Sequence, residues 1–99
     1  MIRHIVTWKL KAQDDAGKAD AVAAIAGALE PLVDVIPGIQ SLVVRPNVAY
    51  FGSNWDVLVM GDYDSLDALE TYMTHPDHVT AAAVVREHAS DRAAIDFEL

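Results

Sequence analysis

The chain has 99 residues and no cysteine, and its 15 acidic side chains against seven Lys and Arg give a formal charge of −8 at pH 7. This charge disfavours nucleic acids and anionic membranes as partners, because both repel an acidic protein. The lack of cysteine excludes disulfides, thiolate nucleophiles and Cys-based metal sites. The length predicts one domain, residues 1–99, and the absence of a secretory leader or a long apolar segment favours the cytoplasm.

The first half of the chain predicts a strand, a helix and a second strand. Apolar and polar residues alternate over Ile2–Leu10, which is typical of a strand. Apolar residues then recur at three- and four-residue steps over Val22–Ile36, which predicts a helix. Pro31 lies inside that pattern, so we expect the helix to bend or to end early. The turn residues Pro37-Gly38 lead into a second strand over Gln40–Arg45.

The second half predicts a third strand, two helices and a last strand. The third strand covers Trp55–Tyr63, and helices follow over Leu66–Met73 and from Pro76 to about Ala89. The last strand is predicted over Ala93–Leu99. The connection Pro46–Asn54 holds two aromatic residues, more than a free surface loop usually has, so we expect it to pack against something.

This order, β-α-β-β-α-(α)-β, predicts the α+β ferredoxin-like fold, a four-stranded antiparallel sheet with its helices on one face. The other face should also be apolar, since Ile5, Leu58 and Met60 lie on the side of their strands away from the helices. A bare apolar sheet seldom remains exposed on a monomer. We therefore expect a homodimer in which two sheets pack face to face.

The segment Tyr72-Met73-Thr74-His75-Pro76-Asp77-His78 is the candidate for chemistry. Pro76 cannot continue a helix from Tyr72, so the chain should turn there and bring Tyr72 and His78 to one corner. In a functional interpretation, His78 is a general base and Tyr72 donates a hydrogen bond to a developing oxyanion. His4, on the apolar face of the first strand, could line the same pocket.

The same residues can also have purely structural roles. His75 would cap the helix that begins at Pro76, and Tyr72 and His4 would be core residues. The spacing alone favours this interpretation, because two histidines around a proline are a weak signal. Trp8 is typical of a core residue, and is also a candidate ligand contact beside His4.

No other constellation in the sequence indicates a site. His75 and His78 lack a well-placed third metal ligand, so we predict no metal site. No phosphate-binding glycine loop and no serine nucleophile motif occurs, and no cofactor is predicted.

Four segments of the chain resemble the stress-responsive dimeric A/B barrel (Dabb) family. They are Ile2–Lys11, Ile36–Ile39, Tyr63–Leu69 and Tyr72–Val79, and the resemblance spans nearly the whole chain. The resemblance implies that two ferredoxin-like protomers close a dimeric α/β barrel. Members of the family include plant stress proteins and a polyketide cyclase branch that performs intramolecular aldol condensation.

The cyclase branch implies roles for particular residues. Its catalytic tyrosine and histidine fall on Tyr72 and His78, and its pocket histidine on strand one falls on His4. A further pocket histidine on strand three falls on Asp56, so we expect a carboxylate there to change the charge of the pocket. The candidate site is thus Tyr72 and His78 for catalysis, with His4, Trp8, Asp56 and His75 for ligand binding.

Three functions remain open. The first is a small dimeric barrel protein that binds an organic ligand between sheet and helices. The second is a cofactor-free cyclase or lyase with His78 as base and Tyr72 as the hydrogen-bond donor. The wider superfamily adds a haem-handling or oxygen-dependent monooxygenase, but a shared fold does not establish a shared chemistry.

Overall fold

The computed structural model describes residues 1–99 and contains four strands, three α-helices and a short 3₁₀ helix. The elements are, in chain order, β1 (Ile2–Leu10), α1 (Asp15–Leu29), the 3₁₀ helix (Glu30–Asp34), β2 (Ile39–Pro46), β3 (Val57–Tyr63), α2 (Leu66–Thr74), α3 (Pro76–His88) and β4 (Ala89–Glu98). The strands form one antiparallel sheet in the order β2-β3-β1-β4. The predicted ferredoxin-like fold is therefore confirmed. No helix is long and apolar enough to cross a lipid bilayer.

Local chemistry explains where the helices begin and end. α1 ends at Leu29, and Pro31 lies at the start of the 3₁₀ helix that follows, because proline is tolerated only where its missing N–H is not needed. The alternative of an early end is thus correct. Ser65 caps α2 by accepting a hydrogen bond from the Ala68 N–H at 3.1 Å.

Three strands have boundaries that differ from the sequence prediction. β3 begins at Val57 rather than Trp55, because Asp56 turns its carboxylate to the backbone N–H of Leu10 at 2.8 Å. β2 is one residue longer at each end than predicted. β4 begins directly after α3 at Ala89, since its residues pair along the whole length of β1.

The connection between β2 and β3 exposes three large side chains in this chain. The side chains of Val48, Tyr50 and Phe51 are 82%, 79% and 66% exposed. These three side chains are therefore largely uncovered within this chain, and the expectation that the connection packs against something stays a prediction.

The two faces of the sheet differ in what covers them. On one face, Val6, Trp8 and Val59 are buried in a core that also includes Ile25 of α1 and Val85 of α3. The other face carries no helix. There Ile5 lies opposite Met60 on one side and Ile95 on the other, and Ile95 is 61% exposed. We call these the covered face and the bare face.

Candidate functional site

A cavity of about 510 Å³ lies between the covered face and α3, and it is partly open to solvent. Four of the six residues singled out from the sequence line it, namely His4, Trp8, Tyr72 and His78. Nine of its 13 lining residues are hydrophobic, so a ligand in it would be largely removed from water.

The break between α2 and α3 brings Tyr72 and His78 together. His75 has extended backbone angles (φ −61°, ψ 136°), and Pro76 is the first residue of α3. The chain therefore changes direction between the two helices instead of stacking their side chains along one axis. As a result, the ring centres of Tyr72 and His78 lie only 4.4 Å apart.

His78 is held in one orientation by the backbone. Its Nδ1 lies 3.1 Å from the carbonyl oxygen of Met73 and donates to it, which leaves Nε2 as the ring's proton acceptor. Burial lowers the pKa of His78 below its ordinary 6.5, and this effect outweighs the hydrogen bond to Met73, which acts to raise the pKa. The nearby positive charge of Arg92 adds to the lowering. The imidazole is therefore neutral at pH 7, the form that a general base requires.

Tyr72 remains protonated beside this base. Its side chain is buried, and burial raises the pKa of Tyr72 to about 12, although the nearby Tyr63 hydroxyl opposes part of the rise. A phenol with so high a pKa keeps its proton at neutral pH. Tyr72 can therefore donate a hydrogen bond to an oxygen atom in the cavity.

Tyr63 packs against Tyr72, and the sequence did not identify it as a site residue. Its ring centre lies 5.1 Å from that of Tyr72, and its hydroxyl is fully buried with no partner in hydrogen-bond geometry. Gly61 makes room for this ring, since a Cβ there would lie 2.8 Å from the Tyr63 hydroxyl. A glycine two residues before a tyrosine in an apolar strand is the signal that could have revealed the arrangement.

Asp96 is a second residue that sequence reasoning missed. His4 is buried on β1, and its Nδ1 makes a very short contact with Oδ1 of Asp96, the residue opposite it on β4. The carboxylate fixes the orientation of the imidazole that lines the cavity. Only the register between the first and last strands creates this pair, and that register was not predicted.

The structure places His75 and Asp56 outside the cavity. His75 caps α3, where its Nδ1 accepts a hydrogen bond from the Asp77 N–H at 3.0 Å, as the structural interpretation predicted. Asp56 lies before β3 and forms an ion pair with Lys18 at 3.3 Å. The expectation that Asp56 changes the charge of the pocket is therefore corrected, because its carboxylate faces the N-terminal part of α1 instead. It lines a separate, smaller cavity of about 320 Å³.

The residues in the main cavity are suited to proton transfer. A neutral imidazole and a protonated phenol face one apolar space, with a second imidazole anchored by a carboxylate. No group of three or more His, Asp or Glu side chains is arranged to hold a metal ion.

Comparison with known proteins identifies the family. The family model described as the stress responsive A/B barrel domain (Dabb) matches residues 2–99. A search of curated protein sequences finds no match.

Several solved structures share the fold. A dimeric protein of unknown function with a ferredoxin-like fold from Bacteroides fragilis is 30% identical, with a TM-score of 0.87 over 99% of this chain and 95% of its own. A dimeric ferredoxin-like protein of unknown function from Thermobifida fusca is 26% identical, with a TM-score of 0.78 over 99% and 90%. A hydroxynitrile lyase from Passiflora edulis is 14% identical, with a TM-score of 0.73 over 97% and 90%, and shows similarity of fold alone.

The family match covers all but the first residue, and the ferredoxin-like sheet of this chain agrees with the fold of the Bacteroides fragilis protein, to which it superposes with a TM-score of 0.87. The chain belongs to the stress-responsive A/B barrel (Dabb) domain family.

Proposed function

We propose that this protein binds a small organic carbonyl compound in the main cavity and removes a proton from the carbon next to the carbonyl. The observation that carries this proposal is the contact between Tyr72 and His78, 4.4 Å between ring centres, inside an apolar cavity. The protein then acts as a cofactor-free enzyme of the lyase or cyclase type.

The proposed step uses the two side chains in complementary roles. Nε2 of His78 takes the proton as the C–H bond breaks, and the electron pair forms the C=C bond of an enolate. The carbonyl oxygen becomes negative and accepts a hydrogen bond from the Tyr72 hydroxyl. The enolate either takes the proton back from His78 or attacks a second carbonyl carbon in the same molecule. In the second case a C–C bond forms as the π bond of that carbonyl breaks, and its oxygen takes the proton from His78, which gives an aldol-type ring closure.

The surroundings keep His78 and Tyr72 in the protonation states that this reaction requires. Burial keeps His78 neutral and Tyr72 protonated, so each is in its active form at neutral pH. The hydrophobic lining strengthens the hydrogen bond to the developing negative charge, because less water competes with it.

We also propose that the protein forms a homodimer that buries the bare face. Ile5, Met60 and Ile95 give this face an apolar centre, and two relatives with the same fold are dimeric. Packing two such faces together removes apolar surface from water, which favours association. The cavity lies on the covered face and is therefore formed within each protomer.

Proton–deuterium exchange tests the proposed chemistry. A suitable probe is the methyl ester of phenylpyruvate, whose benzylic carbon lies next to a ketone and whose body suits an apolar cavity. We expect the protein in D2O to accelerate loss of the benzylic proton NMR signal. His78→Asn should lower the rate by about 10²–10⁴-fold, and Tyr72→Phe by about 10²–10³-fold.

Matched controls use residues of the same type outside the cavity. His88→Asn and Tyr50→Phe should exchange the probe at the wild-type rate, since neither residue lines the cavity. Exchange that is unaffected in His78→Asn would overturn the proposal. If the wild type binds the ester without exchanging it, the protein is a ligand-binding protein and not an enzyme of this type.

A further inference from the structure

Two arginines line the main cavity together with the histidine and tyrosine residues. Arg86 lies in the last turn of α3, and Arg92 lies on β4. No Asp or Glu is among the 13 lining residues, although the chain has 15 acidic and only seven Lys and Arg side chains. The charge of the cavity is therefore opposite in sign to that of the protein as a whole.

Neither arginine is engaged by a carboxylate of the chain. Three of the other basic residues form ion pairs with acidic side chains, namely Arg3 with Asp62, Lys18 with Asp56, and Arg45 with Glu30. Arg86 and Arg92 form no ion pair. In a protein with an excess of acids, two unpaired guanidinium groups at one cavity remain available to an external anion.

The register of the sheet directs Arg92 to this cavity. Arg92 lies opposite Trp8 across the β1–β4 pair, so it shares the covered face with His4. It acts on the site electrostatically, because its positive charge contributes to the lowered pKa of His78. Two acids share this face of β4. Asp96 is bonded to His4, and Glu98 lies six residues beyond Arg92 along the strand and forms no ion pair with Arg92.

We propose that Arg86 and Arg92 bind the carboxylate of the substrate, which is therefore an organic acid with an apolar body and a ketone. This inference rests on the proposed function and specifies its substrate class. A guanidinium group binds a carboxylate through two parallel hydrogen bonds, which fixes orientation as well as position. With the carboxylate held by the arginines, the apolar body lies against Trp8 and Val59, and the carbon acid faces His78.

The inference is tested by binding of unreactive probes, so that the result does not depend on catalysis. The probes are 3-phenylpropionate, its neutral analogue 3-phenylpropionamide, and phenyl phosphate, each titrated by isothermal calorimetry. We expect the carboxylate to bind the wild type at least about tenfold more tightly than the amide, since charge-assisted hydrogen bonds are the stronger ones. Phenyl phosphate should bind more weakly than the carboxylate.

Variants assign the preference to the two arginines. Because both side chains are exposed, we expect Arg86→Gln and Arg92→Gln to weaken carboxylate binding by about fivefold each, and the double variant to abolish the preference over the amide. Affinity for the amide should not change. Arg45→Gln removes the same charge from an exposed site outside the cavity and should leave the preference intact.

Arg86→Lys with Arg92→Lys gives an intermediate test. Lysine keeps the charge but not the two-pronged geometry, so part of the preference should remain. Circular dichroism of each variant verifies that the fold is retained.

The possible failures are distinguishable. A wild type that binds the carboxylate and the amide equally overturns this inference, even if the neutral ester undergoes exchange. Tighter binding of phenyl phosphate overturns the assignment to a carboxylate. If 3-phenylpropionate is preferred and the ester is not exchanged, the arginine site stands and the proposed chemistry fails.

Discussion

The covered and bare faces of the sheet are built by the same strands but have different chemistry. In β1, alternate residues serve the two faces, so His4 lines the cavity while its neighbours Arg3 and Ile5 lie on the bare face. The covered face combines buried aromatic and ionisable groups with a cavity. The bare face is aliphatic at its centre. The difference shows how one strand can carry a reactive site and an association surface at once.

Charges are also treated differently on the two faces. On the bare face, Arg3 donates two hydrogen bonds to Asp62, at 2.8 and 3.0 Å, and this contact lowers the pKa of the Asp62 carboxyl. The charges of Arg3 and Asp62 therefore neutralise each other within the chain. At the cavity beside the covered face, Arg86 of α3 and Arg92 of β4 have no such partner. An internal ion pair is compatible with an interface, whereas unpaired cations at a cavity favour a ligand.

The largest expected effect comes from a charge at the centre of the bare face. Ile5→Lys places an ammonium group where two sheets should meet, and an unpaired buried charge should raise the dimer dissociation constant by about 100-fold or more. Sedimentation velocity at several concentrations measures this shift. Val35→Lys, which adds the same charge at an exposed position outside the sheet, should leave the dimer unchanged.

Ile5→Lys also shows whether association through the bare face and exchange at the covered face are independent. Exchange of the neutral ester by Ile5→Lys should continue at nearly the wild-type rate, because the cavity lies within one protomer. An Ile5→Lys protein that remains dimeric would contradict the proposed interface.

The next effect concerns packing on the covered face. In Gly61→Ala, the new methyl group would lie 2.8 Å from the buried ring and hydroxyl of Tyr63, which cannot move aside. We expect a loss of about 2 kcal/mol of unfolding free energy, roughly 30-fold in the folding equilibrium. Urea unfolding at fixed protein concentration measures it.

A second glycine provides the control for this variant. Gly27→Ala in α1 meets no atom within 4 Å, and should instead stabilise the protein by about 0.5–1 kcal/mol. Equal stability of the two variants would show that Gly61 is not needed for the Tyr63 ring.

A smaller effect is expected from the carboxylate that anchors His4. Asp96→Ala removes the partner of Nδ1, and we expect kcat/KM for exchange to fall about tenfold, as for loss of a hydrogen bond to a charged group. Asp96→Asn should recover part of the rate, because its amide oxygen can accept the same hydrogen bond. Asp91→Ala, on the opposite face of β4, should have the wild-type rate.

The smallest effect is a displacement of the pH profile. Neutral His78 is the active form, so kcat/KM should rise with pH and level off above the pKa of this group. Burial lowers that pKa, and the midpoint should therefore lie below 6.5. Arg92→Gln removes one cause of the lowering and should move the midpoint upward. A wild-type midpoint above 6.5 would contradict His78 as the base.

Much of the fold could be predicted because local patterns determine it. Alternation identified β1, and Pro31 and Pro76 marked the ends of helices, since proline restricts the backbone wherever it occurs. The ends of β3 and β4 were less predictable. They depend on the hydrogen bond from Leu10 to Asp56 and on the pairing of β4 with β1, which join residues far apart in the chain.

In the candidate site, too, some features follow from the local sequence and others from the tertiary structure. By itself, the sequence determined the break at His75-Pro76 that brings Tyr72 and His78 to one corner, because backbone geometry there is a local property. Only the tertiary structure decided that Asp96 meets His4, that Arg92 reaches the cavity, and that Asp56 does not. Those placements follow from strand register and packing, which arise from interactions between distant segments and leave no local signal in the sequence.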